Sequence, residues 1–200
     1  MKKADAIKRR PKRLFTKEDM DKIRSRNKDR SKDMERKVTA RLNGRRTPMS
    51  GAGMIKGDGI VYLPNDNGLC VLECKVTSRL HPTQGPRVLL ESLWFDKLQR
   101  DTQAMRGLGA KFGILIVKFL HIREMFCFIL STEIDKIEQY LDIKIELDGA
   151  VLNPNEKVSN WKISNVLMST LEKYQWVMTP HGLYRIIPFS TVEKWFRQGR

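Results

Sequence analysis

The sequence predicts an α/β fold, with a mixed central sheet flanked by helices. Three observations carry that expectation. Apolar runs of strand length occur at 59–63 (GIVYL), 69–76 (LCVLECKV), 112–120 and 124–130, bounded by turn-forming residues. The stretch Glu18–Leu42 holds no Pro or Gly and many good helix formers. Between the two pairs of strands, Trp94, Leu98, Met105 and Leu108 recur at helical spacing, and a helix between strands is the pattern that covers the faces of a sheet.

Taken in order, residues 1–17 are basic, interrupted by Pro11, and read as a flexible arm. Thr16 followed by Glu18, Asp19 and Asp21 resembles a helix start, with acid in the first turn. Met34, Val38 and Leu42 recur every four residues and predict one buried edge. The polar run 24–33 predicts a break in that helix or a segment standing in solvent. Gly44 ends the helix, and the loop RRTPMSGAGMIKGDG follows with Gly51, Gly53, Gly57 and Gly59. PNDNG at 64–68 is a turn, so 59–63 and 69–76 form a hairpin. A short strand is expected at 87–92, a helix at 94–108, and a central strand buried on both faces at 112–120. Beyond it come a strand at 124–130 and a helix at 132–141, with further helices near Ser164–Tyr174 and Thr191–Arg197. The expected organisation is a basic arm (1–17), a core with its N-terminal helix (18–142), and a C-terminal extension packed on that core (143–200).

The chain of 200 residues has a net charge of +15, and residues 1–46 hold 19 Lys+Arg against 7 Asp+Glu. A basic leading segment on a nearly neutral body predicts a polyanionic partner, most simply nucleic acid. No apolar run reaches the roughly 20 residues of a membrane span, and no signal-peptide stretch is visible. Three unpaired cysteines predict a reducing compartment, hence the cytoplasm. GAGMIKGDG lacks P-loop spacing and precedes a strand, so an NTPase is excluded. Cys70, Cys74 and Cys127 lack zinc spacing, and His81, His121 and His181 are scattered.

The chemistry lies in Asp58 and Glu73-Cys74-Lys75. In a strand, residues two apart share a face, so Glu73 and Lys75 project together. Folding the hairpin about its turn brings Asp58 opposite residues 73–75. Two carboxylates at close quarters call for a cation between them, and hard oxygen ligands suit Mg²⁺, with Mn²⁺ as a substitute. Such an ion activates water and neutralises charge on a phosphodiester, and a neighbouring lysine stabilises the developing charge. The alternative for these residues is a solvated strand face with no catalytic role.

The pattern D-x14-E-C-K on a hairpin, followed by a helix and an apolar strand, resembles the PD-(D/E)xK nuclease superfamily. SGAGMIKGDGIVY and LCVLECKV resemble, more narrowly, the archaeal and phage Holliday junction resolvases, as does WFDKLQR followed by GAKFGILIVKF. The resemblance covers about Glu35 to Phe119 and departs from the family in having Gly57, not Pro, before Asp58. It implies a restriction-endonuclease-like core and a third metal-binding acid on the first helix, which Glu35 fits best and Glu18 less well. It also implies metal ligation by the main-chain carbonyl of Cys74, a phosphate contact from Ser50, and an auxiliary role for Lys97 and Gln99 on the following helix. Arg45, Arg46 and Lys56 flank the site and add a positive surface for DNA. The function implied is Mg²⁺-dependent cleavage of four-way DNA junctions in recombination or repair. Symmetric cutting implies a homodimer, whose surface is expected on the apolar segment 112–130 or the C-terminal helix. Two other readings stay open: a repair, restriction-like or phage DNA-degrading nuclease on linear or flap DNA, and a non-catalytic DNA-binding protein.

Overall fold

A computed structural model describes residues 16–47, 56–64, 67–77, 80–81, 85–119, 123–144, 150–152, 162–167, 174–179 and 181–198. Helix α1 (Lys17–Arg41) leads into the short β1 (Arg45–Arg46), then β2 (Gly59–Tyr62) and β3 (Leu69–Thr77). β4 (Leu80–His81) and β5 (Gly85–Glu91) precede α2 (Ser92–Ala104), followed by β6 (Ala110–Phe119), β7 (Met125–Leu130) and α3 (Ile134–Leu141). The chain then forms β8 (Ala150–Leu152), β9 (Lys162–Leu167), β10 (Tyr174–Thr179), β11 (Gly182–Pro188) and α4 (Phe189–Gln198).

Among the described residues, eight strands form one sheet in the order β1-β2-β3-β6-β7-β11-β10-β8, and β4-β5-β9 form a second. The large sheet is mixed, with β3/β6 and β8/β10 parallel and the other pairs antiparallel. The expected α/β class with a mixed, helix-flanked sheet therefore holds. β8, β10 and β11, from the segment read as an extension, prolong that same sheet.

Strand alternation sorts the core into two layers. Cys70, Leu72, Cys74, Ile114, Ile116, Cys127 and Ile129 face Met34, Val38 and Leu42 of α1, Ile134 and Ile137 of α3, and Phe189, Val192 and Phe196 of α4. Leu115, Val117, Phe126, Phe128 and Tyr184 face the other way, against Phe95 and Leu98 of α2. The 4-residue recurrence in α1 is thus its buried edge. Burial pushes all three cysteine thiols well above the ordinary thiol range, which leaves them unreactive packing residues.

Several expectations change. Of the two alternatives for the polar run 24–33, the break does not occur and the solvent-exposed segment does: α1 is continuous from Lys17 to Arg41, with Ser25, Arg26, Lys28, Asp29 and Arg30 exposed. The helix expected near Ser164–Tyr174 is absent from its described part: Lys162–Leu167 is a strand that pairs antiparallel with β5. Only Ile163 and Val166 of KISNVL favour extended backbone, and pairing across to β5 supplies the rest. The apolar parts of the two segments named as candidate dimer surfaces pack within the chain. β6 is buried on both faces between β3 and β7, and α4 turns Phe189, Val192 and Phe196 into the core.

Candidate active site

The turn at 64–68 sets the hairpin register so that Gly59 pairs with Leu72. Asp58 therefore lies beside Glu73, and its N–H donates to the Leu72 carbonyl at 2.8 Å. Gly57 has φ +88°, and a Cβ there would meet Val71 Cγ1 at 2.6 Å and the Leu72 carbonyl at 3.0 Å. Only glycine accommodates that bend, which is the physical reason for the residue preceding Asp58. Thr47 fastens the bend from β1's side: its hydroxyl donates to the Gly57 carbonyl and its N–H to the Asp58 carbonyl at 3.3 Å.

Glu73 and Lys75 project from β3 toward the α2 side of the sheet, and α2 answers with two residues one turn apart. The Glu73 carboxylate has 0% exposure and is held by two ammonium groups, Lys75 on Oε1 and Lys97 on Oε2. Lys97 Nζ also lies 3.5 Å from Asp58 Oδ1 and 3.5 Å from Asp101 Oδ2. Asp58 Oδ2 accepts the Cys74 N–H at 2.8 Å, and Asp101 Oδ2 accepts the Gly57 N–H at 3.1 Å. Burial raises the pKa of Glu73, and the Asp58 charge raises it further, against the opposing pull of Lys75 and Lys97. For Lys97 burial acts to lower the pKa, but Glu73, Asp58 and Asp101 together outweigh it and the ammonium is held charged. Three carboxylates and two ammonium groups thus meet in a largely dry place.

Whether these residues suit a divalent cation is answered by the Lys97 ammonium itself. One positive centre already gathers oxygens of Asp58 and Glu73, so the donor set and its convergence fit a hard cation. Among the described residues, no group of three or more His, Cys, Asp or Glu side chains is assembled as a metal cage.

The other expected site residues are distributed as follows. Glu35 is buried on α1, paired with Arg46 Nε at 2.9 Å. Its charge reaches the Cys74 thiol, but it is not gathered with Asp58 and Glu73. Cys74 joins the site through its amide, while its side chain lies in the core on the α1 face. Arg45 is exposed, its guanidinium 5.9 Å from the Tyr62 ring. Lys56 is half-buried near the bend, its N–H 3.2 Å from Met105 Sδ. Lys97, expected to touch DNA, lies instead against the carboxylates. Gln99 stands away from the cluster, donating to the His181 carbonyl and to Tyr184 Oη, both at 3.2 Å. Ser50 lies outside the described residues. Asp101 enters the cluster through the structure alone. Its spacing of four from Lys97 puts both on one face of α2, a signal present in the sequence, but nothing in the sequence specifies which face meets β3.

Comparison with known proteins adds no relative: no protein-family model, no curated protein and no solved structure matches this chain.

Proposed function

We propose that this chain is a divalent-metal-dependent DNA endonuclease with a restriction-endonuclease-like core of the PD-(D/E)xK kind, and that it resolves four-way junctions as a homodimer in the cytoplasm. The observation that carries the reading is the convergence of Asp58 and Glu73 on one cationic centre, with Lys75 on the same strand. Asp58 and Glu73 are the residues that would hold Mg²⁺ or Mn²⁺, which supplies, when bound, a nucleophilic water and charge neutralisation for the phosphodiester. The Cys74 amide fixes the Asp58 carboxylate, and burial of Glu73 keeps water from dissipating the field. The Lys75 side chain is 26% exposed, so its ammonium can leave its contact with Glu73 to donate to a phosphate oxygen. Arg45, exposed on β1, and the basic leading segment supply backbone contacts that position DNA without reading its sequence.

The test is cleavage of a synthetic four-way junction and of a matched linear duplex, with and without Mg²⁺. Asp58→Asn and Lys75→Ala are expected to abolish junction cleavage while binding persists. Full activity in either variant sinks the site assignment, and preference for linear or flap DNA selects a repair or restriction-like nuclease. One observation favours a second reading. Lys97 already neutralises Asp58 and Glu73, as it would in a non-catalytic DNA-binding protein whose acids are structural. Tight DNA binding with no Mg²⁺- or Mn²⁺-dependent cleavage of any substrate selects that reading.

A further inference from the structure

On the face of the sheet opposite Glu73 and Lys75, an open groove of about 600 Å³ runs between α1 and the ends of β3, β6 and β7. Its floor is apolar, formed by Val76 and Met125, both half-buried, and by the exposed Ala40. Val76 pairs in register with Lys118, and Lys118 with Met125, so the three side chains form one row across three strands. The walls are cationic. On α1, Arg30, Lys37 and Arg41 recur at intervals of seven and four and share one side of the helix. Lys118 and Arg123 stand across the floor from them. Among the described residues, the one acid in the lining is Asp33, which already holds Arg36 at 3.3 Å. Arg41 is forked onto Glu193. Arg30, Lys37 and Arg123 are exposed and hold no ion pair among the described residues. Lys118 donates to the Arg123 carbonyl at 2.7 Å, and burial pulls its pKa down against the opposing charge of Glu124. A cation that burial disfavours gains from an anion placed beside it.

We propose that this groove holds the sugar-phosphate backbone of duplex DNA, as a second DNA contact apart from the acids on the opposite face. Three features select that occupant. Cations stand on both sides of a narrow apolar strip, which suits a backbone whose phosphates flank apolar sugars. Guanidinium groups prevail among them, and their forked donors match phosphate oxygens. Along α1 the row from Arg30 to Arg41 spans about 16 Å at 1.5 Å per residue, roughly five phosphate steps of 3.4 Å along one strand. An acidic protein segment would meet the same cations without a fixed repeat, and it is the rival in the test. The groove also lies within reach of the acid cluster. Val76 follows Lys75 on β3 and points to the other face, so DNA rounding the end of that strand meets both. The inference rests on the nucleic-acid partner proposed above, but not on cleavage or on a metal.

The test is fluorescence-anisotropy titration of the full chain in EDTA with a labelled duplex and a labelled four-way junction, over a range of salt. Two triple variants are compared. Arg30→Gln/Lys37→Gln/Arg123→Gln removes three exposed cations from the groove. Lys136→Gln/Lys144→Gln/Lys194→Gln removes the same charge from exposed positions on or beside α3 and α4. The groove variant is expected to bind at least about tenfold more weakly than the parent and to lower the slope of log K against log salt by up to about 2.7, which is 0.9 for each of three phosphates. The control variant is expected to change both far less. Lys37→Glu alone, at an exposed position, is expected to weaken binding severalfold with an unchanged melting temperature, which separates lost contact from lost folding. Unlabelled poly-glutamate of equal total charge is expected to displace DNA poorly from the parent. Equal losses in the two triple variants would show a diffuse effect of net charge and overturn the groove, while leaving DNA as the partner. Displacement by poly-glutamate as effective as by unlabelled duplex would assign the groove to an acidic protein and overturn it too. A parent chain that binds neither DNA removes the nucleic-acid reading and this inference with it.

Discussion

Replacing Lys97 by Met and replacing Glu73 by Gln break the same ion pair from opposite sides, and burial predicts unequal costs. The Glu73 side chain has 0% exposure, whereas Lys97 and Lys75 are 31% and 26% exposed. Lys97→Met keeps most of the aliphatic packing but strands a carboxylate that cannot reach water. Breaking a buried pair this way costs roughly 3–5 kcal/mol. Lys75 remains on Glu73 Oε1, and Lys97 is itself a third exposed, so the expected cost drops to about 2 kcal/mol. For a chain of this size that is a fall of about 4–8 °C in melting temperature. Glu73→Gln instead leaves two ammonium groups that can turn toward solvent and removes a charge that burial disfavours, so its cost stays under about 1 kcal/mol. The assay is thermal and urea unfolding followed by circular dichroism at neutral pH and low salt. Mn²⁺ is expected to restore part of the loss in Lys97→Met and little in Glu73→Gln, because the first retains both acids and the second does not. If Glu73→Gln proves the less stable variant, the reasoning from unequal burial is refuted.

Gly113→Ala is expected to destabilise the packing of α2 on β6, because the added Cβ would meet Thr102 Oγ1 at 2.3 Å and Leu98 Cδ1 at 2.9 Å. The cost of such overpacking is about 1–3 kcal/mol, and a wild-type melting temperature would contradict it. Glu133 gives a pH dependence: burial raises its pKa above the ordinary 4.5, against a hydrogen bond from Gly113 and the charges of Lys136 and Arg106. Between 4.5 and the raised value the folded chain holds a proton the unfolded chain has lost, so stability contributed by this group falls as pH rises through that window. Glu133→Gln removes the effect, so its stability relative to the parent should improve from pH 4 to 7, and a constant difference across that range would exclude the mechanism. DNA affinity should fall steeply with salt. Deleting residues 1–15, which hold seven Lys+Arg, should flatten the slope of log K against log salt by about 0.9 for each phosphate the arm neutralises. An unchanged slope in a binding titration would show that the arm does not touch DNA.

The parts of the fold legible in the sequence are those set by local periodicity. The alternation in LCVLECKV and the PNDNG turn are enough to put Asp58 beside Glu73, and the hairpin does so, with Gly59 paired to Leu72. The buried edge Met34, Val38 and Leu42 of α1 is equally local. Residues 162–167 show the limit: their strand exists through pairing with β5, more than seventy positions away, and a short segment carries little local preference to announce that. The polar stretch of α1 stands in solvent, one of the two outcomes its sequence predicts, since a run of good helix formers continues without needing a buried face.

The amino-acid sequence alone therefore determined the acid-acid-lysine arrangement of Asp58, Glu73 and Lys75, because a two-residue period and a tight turn act over a few residues. Tertiary structure decided what surrounds it. The chain between β3 and β6 lays α2 on the face that Glu73 points to, and so Lys97 and Asp101 become part of the charged cluster. Glu35, on the opposite helical layer, is taken by Arg46 instead. Which helix covers which face depends on how distant apolar surfaces pack, and that choice is made by the whole core at once.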